Sequence, residues 1–280
     1  MAEFEGQDKR AAPEVIWQAQ EALGSGRSND PRTVPELFEA TLQGDYDDEA
    51  AWDAVASLRL RATPEVLDVA MKYCRSDDPK ARARGLDVLA QLGAGKPDSE
   101  RPYVDECVSM AIAHLDDESP LVVHSAAWAL AHLRDDRAIS TLIGMKHHAN
   151  PDVRHAVAFG MGGCSGGEAR QTLIELMEDQ ADEVRNWATF GLGSLNDVDG
   201  PEVREALRKR LDDSFGEARD EAIWGLARRK ETLALQILLE RLESGSWVQG
   251  DEDAAAEALG LGRAASAEEL QGGLQKLLGR

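Results

Sequence analysis

The chain repeats itself, and the repeat admits only one kind of architecture. Seven equivalent anchor positions, Ala51, Arg82, Val123, Arg154, Arg185, Arg219 and Ala254, lie 31, 41, 31, 31, 34 and 35 residues apart. Each opens a segment rich in Ala, Gly, Leu and Met, preceded by a turn and another apolar-periodic segment. In the unit anchored at Arg185, residues Val184, Ala188, Gly191, Leu192 and Leu195 recur at intervals of three and four, one stripe of a helix. Asp78-Pro79, Ser119-Pro120 and Asn150-Pro151 each put a capping residue before a proline suited to a first helical turn. No segment alternates with period two, so no sheet is expected. A period of this length means stacked helix pairs, each burying its apolar face on its neighbours.

The 41-residue interval is explained by the turn-rich insert from Gly93 to Pro102. The first and last units are the least regular, as capping repeats are. The expected organisation is a polar tail over 1–32 with a short helix at Pro13–Leu23, a solenoid over 33–265, and a capping helix over 266–280.

Two runs are specific enough to suggest a family. They are Asp135-Asp136-Arg137-Ala138 and Pro151-Asp152-Val153-Arg154, within the unit Leu133–Gly162. With Leu142, Ala156 and Met161, and with Val184, Arg185, Ala188 and Leu192 one unit on, they resemble the short bacterial HEAT repeat first associated with phycobilisome lyases. The resemblance implies an all-α fold, a right-handed α-solenoid of about seven HEAT-like helix pairs. It also implies that Arg82, Arg154, Arg185 and Arg219 form a structural ladder, each pairing with a nearby carboxylate.

One register position departs from the family. Five residues after the anchor, where relatives favour a polar residue, stand Trp128, Phe159, Phe190 and Trp224. The stripe facing the partner helix uses positions −1, +3, +6, +7 and +10, so position +5 projects off it. Position +1 lies one turn earlier on the same face, giving the pairs His124/Trp128, His155/Phe159, Asn186/Phe190 and Asp220/Trp224. With adjacent helices roughly 8–10 Å apart, four such pairs would pave a groove on the order of 30 Å long. Aromatics beside polar groups have the composition of an interaction surface. The competing expectation is that the rings pack on Gly160, Gly191 and Gly225 and thicken the core.

Composition narrows the partner. Lys and Arg total 31 against 52 Asp and Glu, a formal charge of −21. Such a surface repels phosphate backbones and favours a basic protein. No apolar run approaches the roughly 20 residues that span a bilayer. No secretory leader is evident, and Cys74, Cys107 and Cys164 are widely spaced, so a cytoplasmic chain is expected. The acidic runs Asp45–Glu49, Asp116–Glu118 and Asp251–Asp253 sit near second-helix starts, where they complement the helix dipole.

Catalytic signatures are missing. There is no G-x-S-x-G, no H-E-x-x-H, no P-loop and no dinucleotide fingerprint. The Gly-rich run 160–167 closes a helix and follows no strand. All six histidines fall between 114 and 155, but without a third or fourth ligand at fixed geometry no metal is expected. The expectation is therefore a non-enzymatic, monomeric scaffold that needs no cofactor and binds a protein or peptide, with a basic protein as the favoured partner. The alternative, suggested by the family, is a lyase or chaperone holding a tetrapyrrole in the same groove.

Overall fold

A computed structural model of the protein describes residues 30–93, 96, 100–164, 166–261 and 265–280. The helix expected at Pro13–Leu23 lies outside them. The described residues form fifteen helices and no strand. They are α1 (Val34–Thr41), α2 (Glu49–Arg61), α3 (Pro64–Tyr73), α4 (Pro79–Ala90), α5 (Val104–Ala113), α6 (Pro120–Leu133), α7 (Asp136–Gly144) and α8 (Pro151–Met161). Then follow α9 (Gly167–Leu176), α10 (Asp182–Gly193), α11 (Pro201–Arg210), α12 (Gly216–Arg228), α13 (Thr232–Ser244), α14 (Asp251–Leu259) and α15 (Ala267–Leu277). Seven pairs and one further helix make an all-α solenoid. The chain divides into two compact units at Gly160–Met161, so the stretch expected as one solenoid is carried by both.

Of the three capping residues expected from the sequence, Asp78 and Asn150 cap their helices, whereas Ser119 makes no side-chain cap at the head of α6. Thr33 and Ser266 each form a capping box with the glutamate three residues on, at the starts of α1 and α15. Asp78 accepts the Lys80 amide at the head of α4, and Asn150 accepts the Asp152 amide at the head of α8. Gly245 ends α13 at a φ of 70°, a left-handed conformation that glycine adopts without strain.

Within each unit the second helices pack most extensively on one another: α4 on α6 in the first unit, α10 on α12 in the second. Glycine makes this possible. A Cβ on Gly225 of α12 would lie 2.7 Å from the Gly193 Cα of α10. Glycine also lets a second helix approach its own first helix: a Cβ on Gly85 of α4 would lie 2.8 Å from the Ala70 carbonyl of α3. Fully buried Leu86, Leu89, Leu130, Leu142, Leu173 and Met177 fill the space between layers.

The four ladder arginines share one contact. In every case Nη1 donates to the carbonyls six and five residues earlier, which belong to the turn before the second helix. For Arg82 these are Ser76 (3.0 Å) and Asp77 (3.1 Å); for Arg154, His148 (2.8 Å) and Ala149 (3.1 Å). For Arg185 they are Asp179 (2.9 Å) and Gln180 (3.2 Å); for Arg219, Asp213 (2.6 Å) and Ser214 (3.3 Å). The clamp satisfies carbonyls that the turn leaves without helical partners.

The carboxylate comes from the next repeat. Arg82 grips Asp117 through Nε and Nη2 at 2.9 and 2.8 Å, and Arg185 grips Asp213 at 2.8 and 2.9 Å. These bidentate bonds hold both aspartates below the usual carboxylate range. Asp117 and Asp213 also accept the backbone amide two residues on, from Ser119 and Phe215, so one carboxylate shapes its own turn and ties down the previous repeat.

Candidate functional site

In the amino-terminal unit the expected residues come together. The rings of Trp128 on α6 and Phe159 on α8 stack with centroids 4.8 Å apart and planes 26° from parallel. His155 lies 5.6 Å from Trp128 and His124 lies 6.3 Å from it. All four side chains are half-buried.

The sequence reading missed a fifth ring. His132, one helical turn beyond Trp128, meets that indole edge-on at 4.9 Å and lies 4.8 Å from Phe159. Its spacing of four from Trp128 was the available signal. Gln91 approaches its ring through Nε2 at 2.9 Å from Nδ1 and is itself held by Arg59 Nη1 at 2.7 Å.

Burial drives the electrostatics of this cluster. It holds His132 well below the usual imidazole range, with the nearby charges of Arg59, Arg101 and Arg134 acting the same way. Burial also lowers His155 to about 4, with a smaller push from His124. At neutral pH, His132 and His155 are therefore neutral rings.

A second missed group stands in register with these rings. Asp87 is the fifth residue after Arg82, the position held by Trp128 and Phe159 in later repeats. It is buried and accepts the Tyr46 hydroxyl at 2.5 Å; that hydroxyl lies 3.0 Å from Ser125 Oγ. Arg84 reaches Asp87 at 3.3 Å, donates to the Thr41 carbonyl at 2.9 Å and also to the Tyr46 carbonyl. The Arg84 guanidinium lies over the Tyr46 ring at 3.9 Å and the Trp52 ring at 4.7 Å. Burial raises the Asp87 carboxyl against the opposing pull of Tyr46 and Arg84. With Arg84 wholly buried and Ser125 nearly so, this network pins the α1–α2 turn and presents no nucleophile to solvent.

The carboxyl-terminal unit corrects the expectation of an exposed row. Phe190 is 4 % exposed, Trp224 6 % and Asn186 4 %, so none of the three lines an open groove. The Gly193–Gly225 approach draws α10 and α12 together around these side chains. Trp187 meets Phe190 edge-on at 5.6 Å. The Trp224 indole donates through Nε1 to Asp251 Oδ1 at 2.8 Å, and Arg241 bridges Asp251 (3.1 Å) to Asp220 (2.8 Å). Asp220 is thus consumed by an ion pair, and burial raises its carboxyl despite that arginine. Asp251, read from the sequence as a helix-start acid, is fully buried and also accepts the Val248 amide.

No group of three or more His, Cys, Asp or Glu side chains fit to hold a metal occurs among the described residues. Among those residues, no helix is long and apolar enough to cross a membrane. A wide, open depression beside α11, lined by Asp199, Pro201, Glu202, Arg204 and Arg208, is walled by ion pairs such as Arg204–Asp199 at 2.7 Å.

Paired helices, a recurrent arginine clamp and a tight second-helix layer define an α-solenoid repeat protein. The profile of HEAT repeats matches residues 75–162, 143–214 and 171–260, and the chain belongs to that family. Among solved structures, it is similar to YibA of Escherichia coli, with 22% identity over 93% of this chain and 97% of that one, at a TM-score of 0.69. It is also similar to an archaeal HEAT-like repeats protein from Thermococcus onnurineus NA1, with 15% identity over 89% and 100% and a TM-score of 0.49. The CpcE–CpcF complex of phycocyanin lyase from Nostoc sp. PCC7120 shows 18% identity over 90% and 96%, with a TM-score of 0.47. A comparison with curated proteins finds no significant match.

Proposed function

We propose that this protein is a non-enzymatic scaffold that binds a basic protein partner through the ring cluster of its amino-terminal unit. The observation that carries the reading is the half-buried stack of Trp128 on Phe159, flanked by His124, His132 and His155. Equivalent rings in the other unit are spent on packing. Rigid aromatic area at low entropic cost is what a protein interface uses for anchors. A formal charge of −21 supports a basic partner through faster encounter and rejection of acidic competitors.

The test is affinity capture with the full chain and with a Trp128→Ala/Phe159→Ala variant. The wild type should retain one specific basic protein, with binding weakened by added salt. The variant should lose that protein while keeping its helical signal. Retention by the variant, or binding indifferent to salt, would count against the reading. A bilin added to the full chain should leave its absorbance spectrum unchanged; a spectral shift abolished by the same variant would favour the tetrapyrrole alternative.

A further inference from the structure

The fifth ring of the amino-terminal cluster is held in one protonation state by its neighbours. Arg59 Nη1 donates to Gln91 Oε1 at 2.7 Å, and a guanidinium can only donate, so the group that Gln91 turns to His132 is its NH2. That nitrogen lies 2.9 Å from Nδ1 and 3.1 Å from Nε2. An amide NH2 also only donates, so the contact requires an unprotonated ring nitrogen, which an imidazolium lacks. Burial, which holds His132 well below the usual imidazole range, acts to the same end. A neutral imidazole keeps one proton, and it sits on the nitrogen that does not accept from Gln91. Gln91 offers that N–H no acceptor, and among the described residues nothing else hydrogen-bonds the ring.

Three arginines act on the same ring. Arg101 donates to the His132 carbonyl at 2.9 Å and to the Ala90 carbonyl at 3.1 Å. Arg59 stands behind Gln91, and exposed Arg134 follows His132 by two residues. All three disfavour a positive charge on the imidazole. On a chain of formal charge −21 this is a locally positive place. It adjoins the aromatic stack, with His132 4.9 Å from Trp128 and 4.8 Å from Phe159.

An N–H donor among cations selects an anionic acceptor, which makes a stronger hydrogen bond than a neutral one. The half-buried indole and phenyl rings beside it select an apolar or aromatic side chain. We infer that the His132 edge of the cluster binds a carboxylate of the partner protein, with the adjoining side chain packed on Trp128 and Phe159. This rests on the protein-binding reading above, since a protein carries its anionic oxygens as carboxylates, on side chains or at its carboxyl terminus. A partner that is basic overall fits the site, because encounter follows the whole charge and the final contact follows the local one. Arg59 and Gln91 are positioning residues: they fix which imidazole nitrogen carries the proton.

The experiment titrates the full chain into three labelled lysine-rich peptides, read by fluorescence anisotropy. One ends in phenylalanine with a free carboxylate, one is its amide, and one is an amide carrying glutamate beside the phenylalanine. A carboxylate peptide should bind about tenfold tighter than the plain amide, and which of the two does so tells a chain terminus from a side chain. His132→Phe, which keeps a ring against Trp128, should erase that preference and leave the affinity for the plain amide unchanged. Nitrogen NMR of the histidine-labelled chain at neutral pH should show His132 as a single neutral tautomer, which Gln91→Leu converts to a mixture. Binding to none of the peptides, equal affinity for all three, a preference that survives His132→Phe, or mixed tautomers in the wild type would overturn the inference. The Trp128→Ala/Phe159→Ala variant should lose all three peptides; if it binds them as the wild type does, the ring-cluster reading itself fails.

Discussion

Arg185 and Arg219 occupy the same place in successive repeats and make the same pair of turn-carbonyl contacts, yet only Arg185 also grips a carboxylate of the next repeat. Arg185→Ala removes the bidentate grip on buried Asp213, which keeps Arg210 at 3.1 Å and the Phe215 amide, and should cost about 1.5–3 kcal/mol. Arg219→Ala removes hydrogen bonds to carbonyls near the surface and should cost about 1 kcal/mol. Urea unfolding of the two variants checks this, and equal losses would mean that the Asp213 pair adds nothing beyond the clamp. The anchor positions were legible in the sequence because they recur. The clamp was not, because contacts to carbonyls five and six residues back depend on how the turn closes. His155 supplies a second residue-scale expectation. Its imidazole titrates at about 4 in the fold against 6.5 when unfolded. Between those values the unfolded chain binds a proton that the folded chain refuses. The stability from His155 is thus complete above pH 6.5 and lost as pH falls toward 4, an effect of up to about 3 kcal/mol. His132 acts in the same direction. Buried Asp87 and half-buried Asp220, whose carboxyls are raised, act oppositely. Subtracting the pH–stability curve of His155→Gln from the wild-type curve isolates the histidine; a flat difference between pH 4 and 6.5 would contradict its assigned burial.

At the scale of the helix, glycines decide how closely second helices approach. Gly225 of α12 faces backbone, with Gly193 Cα at 2.7 Å from the position of its missing Cβ. Backbone cannot step aside as a flexible side chain does, so Gly225→Ala should destabilise by about 1–3 kcal/mol through overpacking. Gly272, inside α15, has nothing within 4 Å of that position. Gly272→Ala should therefore stabilise by up to about 1 kcal/mol, the helix-propensity difference. Thermal melts of the two variants should move in opposite directions. The sequence pointed to Gly160, Gly191 and Gly225 as places of close packing, but not to which of them would meet bare backbone. The same gap explains the aromatic row. Position +5 could be placed off the helix-pairing stripe by counting, and Trp128 and Phe159 stack there with both rings half-buried. Trp224 is enclosed instead, because Asp251 and Arg241 arrive from helices 27 and 17 residues further along the chain and hold its side of the helix shut. A register argument sees one helix at a time, whereas this closure belongs to three.

For the whole molecule the dominant quantity is charge. A formal −21 is carried largely by exposed carboxylates, which recur at the starts of second helices: Asp77, Asp78, Asp116 and Glu118 in the amino-terminal unit, Asp182 and Glu183 in the carboxyl-terminal one. Rows of like charge oppose the compact state in proportion to how weakly solvent ions screen them. The screening length falls from roughly 30 Å at 0.01 M salt to about 3 Å at 1 M, which removes most repulsion between exposed carboxylates within each unit. The ladder pairs respond much less: Arg185–Asp213 has side-chain exposures of 10% and 2%, so its attraction is shielded from added ions. Exposed pairs such as Arg137–Asp105 weaken with salt, but solvent already screens them and each contributes little. Repulsion should therefore be lost faster than attraction. Raising sodium chloride from 0.01 to 1 M at neutral pH should lift the melting temperature by about 2–4 °C for each kcal/mol gained. A melting temperature that falls over the same range would mean that exposed Arg–carboxylate pairs outweigh the carboxylate rows.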